Sequence, residues 1–201
     1  VVDELCHQPR YAIDTEFHRE RTYFPKLALV QLGWGDQIVL VDPLAVDLSS
    51  ITRLFASPSI AVFHAAQQDL DVLTHSVAAV PERMFDTQLA AGFTGYSTPS
   101  LLSLLHAELS VTASKGDRLT DWLRRPLNDD QRTYAASDVE YLLGLQAKLT
   151  ATLAERGRDE AEFVKFHGAS PLPSCRWACG AQCPCGSRCR FRCSWLPVRA
   201  T

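Results

Sequence analysis

Residues 11–17 read Tyr11-Ala-Ile-Asp14-Thr15-Glu16-Phe17, and the reading of this stretch decides the fold. Tyr11 to Asp14 has the composition of a short strand. In a strand, residues two apart leave on the same face, so Asp14 and Glu16 point the same way. Downstream, Leu27 to Leu32 and Gln37 to Val41 are two further apolar runs, separated by the turn-forming Gly33-Trp34-Gly35-Asp36. Asp42-Pro43 ends the third run. Asp47 to Phe55 has helical spacing (Leu48, Ile51, Leu54, Phe55) with Asp47 as its N-cap. Ile60 to Phe63 is a buried strand. Helices follow over 66–77, 86–91, 100–109 and 129–153, the last closing near Gly157. A strand meander followed by strands alternating with helices predicts an α/β fold: a mixed sheet covered by helices.

Composition agrees with one globular domain and an appendage. Of 201 residues, 46% are hydrophobic and 21% charged, which excludes a disordered, collagen-like or coiled-coil chain. No apolar run approaches the roughly 20 residues needed to span a bilayer. The chain opens on Val1 and its one methionine is Met84, so the natural start is expected upstream, with a lost targeting peptide left open. All acidic residues lie at or before Glu162. Phe163 to Thr201 carries six basic residues and no acid, so the segment is +6 and residues 1–162 are −9. Six of seven cysteines fall between Cys175 and Cys193, and the body holds only Cys6. One cysteine in the body predicts a reducing, cytoplasmic setting without disulfides.

Most acids on such a body are solvating surface charges; three places differ. Asp14 and Glu16 repel on one face unless a cation lies between them, a strand running into solvent being the plain alternative. His64-Ala-Ala-Gln-Gln-Asp69 follows a buried strand and enters a helix. Asp69 there either sits at a ligand-binding strand end or offsets the helix dipole, and the two readings stand level. Tyr134 and Asp138 are four apart on one helix face, where, on this motif alone, a structural tyrosine–aspartate hydrogen bond is the favoured reading.

In order, Asp-x-Glu, an aspartate after His-Ala-Ala-x-x, and Tyr-x-x-x-Asp resemble the three motifs of the DEDD exonuclease superfamily, tyrosine subclass. Asp14-Thr-Glu-Phe-His-Arg-Glu-Arg-Thr-Tyr-Phe-Pro-Lys-Leu-Ala-Leu-Val-Gln31, Asp86-Thr-Gln-Leu-Ala-Ala91, Asp121-Trp-Leu-Arg-Arg-Pro-Leu127 and Tyr134-Ala-Ala-Ser-Asp-Val-Glu-Tyr-Leu142 resemble the ribonuclease D family. The resemblance covers roughly residues 1–160, expected to be one 3′-5′ exonuclease domain. It implies a ribonuclease-H-like fold and metal-dependent exonuclease activity on RNA 3′ ends, single-stranded or in tRNA precursors, by a monomer. By the same resemblance, Asp14, Glu16 and Asp138 hold one divalent cation, Mg²⁺ or Mn²⁺. Asp14 bridges to a second, and Asp69 holds the second directly or through water. Tyr134 orients the attacking water. Hard cations favour such oxygen ligands, and two ions about 4 Å apart suit phosphodiester hydrolysis.

Arg19, Arg21, Lys26, Lys115, Arg118, Arg124 and Arg125 are candidate phosphate contacts, with Arg125 also a structural candidate beside Pro126. Gln31, His64, Gln68 and Trp122 are candidate nucleotide contacts or core residues. The resemblance ends near residue 160. Residues 161–201 have an even cysteine ladder without the long loop that separates zinc-ligand pairs. The leading reading of this tail is a non-native end from a shifted reading frame. A disordered basic tail that aids RNA binding comes second and a zinc knuckle third. Two other functions remain: a DNA exonuclease of the same superfamily, similar to the Werner helicase nuclease domain, and a non-catalytic RNA-binding module.

Overall fold

The computed structural model describes residues 1–19, 24–112 and 120–166. The cysteine ladder and the candidate contacts Arg21, Lys115 and Arg118 lie outside the described residues. After a short helix α1 (Val2–Leu5), the opening strand is β1 (Arg10–His18). It pairs antiparallel with β2 (Lys26–Trp34), which pairs antiparallel with β3 (Gln37–Val41). This is the expected meander, with β1 and β2 each running past the expected ends. The helix expected over 47–55 forms only as α2 (Ile51–Phe55). Asp47 is not its cap: the carboxylate accepts from the backbone N–H and hydroxyl of Ser49. That local turn competes with helix initiation.

β4 (Ile60–Phe63) pairs parallel with β1, and β5 (Arg83–Asp86) pairs parallel with β4. Between them runs α3 (Gln67–Val77). Sequence patterning misses β5, whose Arg-Met-Phe-Asp carries no alternation. The helices α4 (Thr87–Phe93) and α5 (Leu101–Leu109) follow, within a residue or two of expectation. The single helix expected over 129–153 is two, α6 (Asp129–Glu140) and α7 (Leu142–Glu155), with Tyr141 at the junction. α6 rests mainly on β1, β2 and β3, whereas α7 rests mainly on α4, α5, β1 and β4. Separate supports divide a stripe whose periodicity alone looks continuous. A last strand, β6 (Val164–Phe166), pairs antiparallel with β5.

Among the described residues the sheet has six strands in the order β3-β2-β1-β4-β5-β6. Both faces are covered. One core packs Tyr11, Ile13, Val30, Ala61 and Phe63 against Leu54 and Phe55 of α2 and Val72 and Leu73 of α3. The other packs Ala12, Ile60, Val62 and Phe85 against Leu104 of α5, Val139 of α6 and Leu142, Leu145, Leu149 and Leu153 of α7. Ile60-Ala61-Val62-Phe63 alternates between the two cores, which is why β4 is apolar throughout. Each such large side chain contributes about 1.5–3 kcal/mol on burial. No helix among the described residues is long and apolar enough to cross a membrane.

Candidate active site

β1 pairs with β4 only over Arg10–Ala12, yet continues to His18. Asp14, Thr15, Glu16 and Phe17 therefore run past the carboxyl end of β4, and a cleft opens there. It has two adjoining lobes of about 800 and 370 Å³, which share Asp14, His64, Ala65, Gln88 and Tyr134 as lining. The larger also holds Asp69, and the smaller holds Glu16 and Asp138. A groove elsewhere is larger, about 1020 Å³ and lined by Phe24, Leu44, Val46 and Val77. It holds none of the expected site residues.

All five expected site residues line the cleft. One oxygen from each of Asp14, Glu16 and Asp138 lies within 4.8 Å of the others. These three carboxylates come from two elements, β1 and α6, and Asp138 lies 122 residues after Glu16. Asp69, in the first turn of α3, is buried and accepts a hydrogen bond from the Thr15 hydroxyl at 2.5 Å. Burial pushes the Asp69 carboxyl up to about 6, against the Thr15 hydrogen bond that favours the anion. Asp14 is held well above the usual carboxylate range, first by burial and then by the charges of Asp69, Asp138 and Glu16. Repulsion of this kind is relieved when a cation joins the group. An all-oxygen donor set suits a hard divalent ion and not a thiophilic one. The residues therefore fit the metal site that the resemblance implies.

The supports of the cleft are local and specific. Asp86 ends β5 and caps α4, accepting from the N–H groups of Gln88 and Leu89. The same carboxylate accepts from the N–H groups of Ala65 and Ala66, both at 3.0 Å. It thus ties the turn between β4 and α3, where Ala65 takes the strained φ of 60°. Thr87 donates its hydroxyl proton to the Phe63 carbonyl oxygen, so the Nδ1–H of His64 is the donor toward Thr87 Oγ1 at 2.9 Å. On the other side, Asn128 and Gln131 form a capping box at the start of α6. Tyr134 stands beside Trp122, with ring centroids 6.0 Å apart.

Several candidate contacts take other roles. Gln31 and Trp122 are buried and touch no exposed surface for a nucleotide. His64 and Gln68 line the cleft. Arg125 is structural: it grips Asp42 with two hydrogen bonds and donates to the carbonyls of Ala28, Trp122 and Arg124. Arg19 pairs with Asp71 at 2.7 Å. Lys26 and Arg124 are exposed. Asp86 and Thr15 were not singled out as site residues from sequence. The signal for Asp86 was its place directly before a helix, where aspartate caps; nothing local marks Thr15, whose partner is 54 residues away.

A family model described as 3′-5′ exonuclease matches residues 1–154. The chain belongs to this 3′-5′ exonuclease family, in its ribonuclease D group. A ribonuclease D of Granulibacter bethesdensis is 41% identical over 158 residues, 77% of this chain and 40% of that protein. The chain spans about two fifths of the length of the curated relatives it matches. Among solved structures, Escherichia coli RNase D, an exoribonuclease involved in structured RNA processing, superposes with a TM-score of 0.74 at 37% identity. That match covers 78% of this chain and 42% of the other. Brucella melitensis NrnC with bound Mg²⁺ has a TM-score of 0.68 at 27% identity, covering 79% of this chain and 80% of the other. The mixed sheet flanked by helices is thus the ribonuclease-H-like fold of these relatives.

Proposed function

We propose that the chain is a metal-dependent 3′-5′ exoribonuclease that removes nucleotides from RNA 3′ ends, including those of tRNA precursors. The observation that carries this is the convergence of three carboxylate oxygens within 4.8 Å beside Asp69 and Tyr134 in one cleft. Asp14, Glu16 and Asp138 would hold one divalent cation, Mg²⁺ or Mn²⁺, with Asp14 and Asp69 holding a second. Such ions, when bound, stabilise charge on the phosphate and activate the attacking water. Tyr134 holds that water by a hydrogen bond. A phenol with an ordinary pKa of ~10 is a poor base at neutral pH, so its role is position. Ala65 and Ala66, anchored by Asp86, keep the turn of the cleft fixed against the sheet. RNA rather than DNA is favoured by the ribonuclease D relatives. Action as a cytoplasmic monomer belongs to the same proposal, as does a tail outside the domain, whose start moves from residue 161 to beyond Phe166 because β6 pairs with β5.

The test is digestion of 5′-labelled RNA and DNA with free 3′ ends, with Mg²⁺, with Mn²⁺ and with EDTA. The expected result is a ladder shortening one nucleotide at a time from the 3′ end of RNA, absent in EDTA. Faster shortening of DNA would move the assignment to a DNA exonuclease. Binding without cleavage under every condition would overturn the enzyme reading.

A further inference from the structure

Gln31 on β2 is fully buried, and neither its amide nitrogen nor its amide oxygen has a hydrogen-bond partner among the described residues. Burying an unpaired carboxamide is unfavourable, and an apolar side chain would fit a sheet interior better. Its position in the register is informative. Gln31 is the Cα partner of Asp14 in the antiparallel β1–β2 pair. Directly opposed residues leave the sheet on the same face, with Cβ atoms about 4.5–5.5 Å apart. On its other side the register partner is Leu40 of β3, which offers no polar atom on its side chain.

The element above is α6. Leu29, two residues before Gln31 on the same face, shares a packing cluster with Ala135. Gly33, two residues after, lies so close to α6 that a Cβ there would stand 3.5 Å from the Val139 carbonyl oxygen. Gln31 therefore lies beneath the turn of α6 between Ala135 and Val139. That turn carries Asp138. A lone buried carboxamide thus sits below the point where Asp14 and Asp138 converge.

We propose that Gln31 is a positioning residue for the carboxylate cluster. With a divalent cation bound, its amide N–H donates to the Asp14 carboxylate, and so sets the plane of that carboxylate. Ligating carboxylates are commonly held by such outer hydrogen bonds, and losing one costs 10–100-fold in metal affinity. The inference rests on the reading of Asp14, Glu16 and Asp138 as metal ligands, so the experiment separates the two.

Mn²⁺ binding is titrated without RNA, by the loss of free-ion electron paramagnetic resonance signal, in the unaltered chain, Gln31→Met, Gln31→Leu and Asp14→Asn. Thermal unfolding in EDTA is measured on each. Gln31→Met is nearly isosteric and covers the case in which Gln31→Leu does not fold. The expected result is about 10–100-fold weaker Mn²⁺ binding in Gln31→Met, with unfolding in EDTA at or above the unaltered temperature. The same variant should need more Mn²⁺ for half-maximal RNA cleavage, with KM for RNA unchanged. Unaltered Mn²⁺ affinity in Gln31→Met, with binding abolished in Asp14→Asn, would overturn the role of Gln31 and leave the metal site standing. Full Mn²⁺ binding in Asp14→Asn would overturn the metal site itself. A lower unfolding temperature in EDTA with unchanged affinity would make Gln31 a packing residue only.

Discussion

At the scale of single residues, the site is built against its own stability. Asp14 carries a charge that burial and three neighbouring carboxylates disfavour. Asp14→Asn should therefore abolish metal-dependent cleavage and yet raise stability in EDTA by about 1 kcal/mol, roughly 2–4 °C in Tm. Calorimetry in EDTA and in Mg²⁺ checks this: the variant should also lose the stabilisation that the ion confers on the unaltered chain. A variant that melts earlier in EDTA would show that Asp14 is a structural acid. Tyr134→Phe removes one hydroxyl and leaves the ring against Trp122. Turnover should fall about 10²-fold or more, with Mn²⁺ affinity unchanged. Single-turnover rates within twofold of the unaltered enzyme would give the tyrosine a packing role.

At the scale of elements, the segment leading into α6 is held to the meander by Arg125. Its guanidinium grips Asp42 at the end of the meander and reaches the Ala28 carbonyl on β2. The hydrogen bonds and charge from Arg125 hold the Asp42 carboxyl below the usual carboxylate range. A carboxyl lowered on folding adds stability that is complete above its unfolded value near ~4 and is lost as pH falls through the lower folded value. Arg125→Met should cost roughly 2–3 kcal/mol near neutral pH. Asp42→Asn should flatten the acid limb of stability below about pH 4. Urea unfolding at pH 3 to 7 measures both; an Asp42→Asn curve parallel to the unaltered one would exclude this linkage. The same pairing explains why Arg125 is a poor candidate for phosphate: its donors are engaged within the fold.

For the molecule as a whole, the sheet continues past the end of α7. Glu160 accepts hydrogen bonds from Arg10 and from the buried Gln146, and Val164 of β6 is only 7% exposed within the second core. Cutting the chain after Gly157 should lower stability by roughly 3–5 kcal/mol relative to a cut after Phe166, from lost burial and ladder hydrogen bonds. Equal urea midpoints for the two truncates would show β6 to be dispensable. The cut after Phe166 removes Arg176, Arg188, Arg190, Arg192 and Arg199 with the six clustered cysteines. It should leave the rate at saturating RNA unchanged and make RNA affinity weaker and less salt-dependent. Tightly bound stoichiometric zinc in the full chain would instead assign the cysteines to a structural module.

What the sequence determined by itself was the class of fold and the chemistry-bearing residues. The strand composition of Tyr11–Asp14, the Gly33–Asp36 turn and the helical stripes are local signals, readable because their causes lie within a few residues. Asp14, Glu16, Asp69, Tyr134 and Asp138 were legible as a set through the resemblance, though no single pair of them was decisive. Only the tertiary structure decided where one helix becomes α6 and α7, since that depends on which strands and helices each packs against. It alone revealed β5 and β6, which are only four and three residues long, and the hold of Asp86 on the turn at Ala65 and Ala66. It also decided between the two readings open for Gln31, nucleotide contact or core residue, by burying it opposite Asp14. The physical reason is common to all of these: such contacts join residues distant in sequence, and burial is set by what covers a residue, not by the residues beside it in the chain.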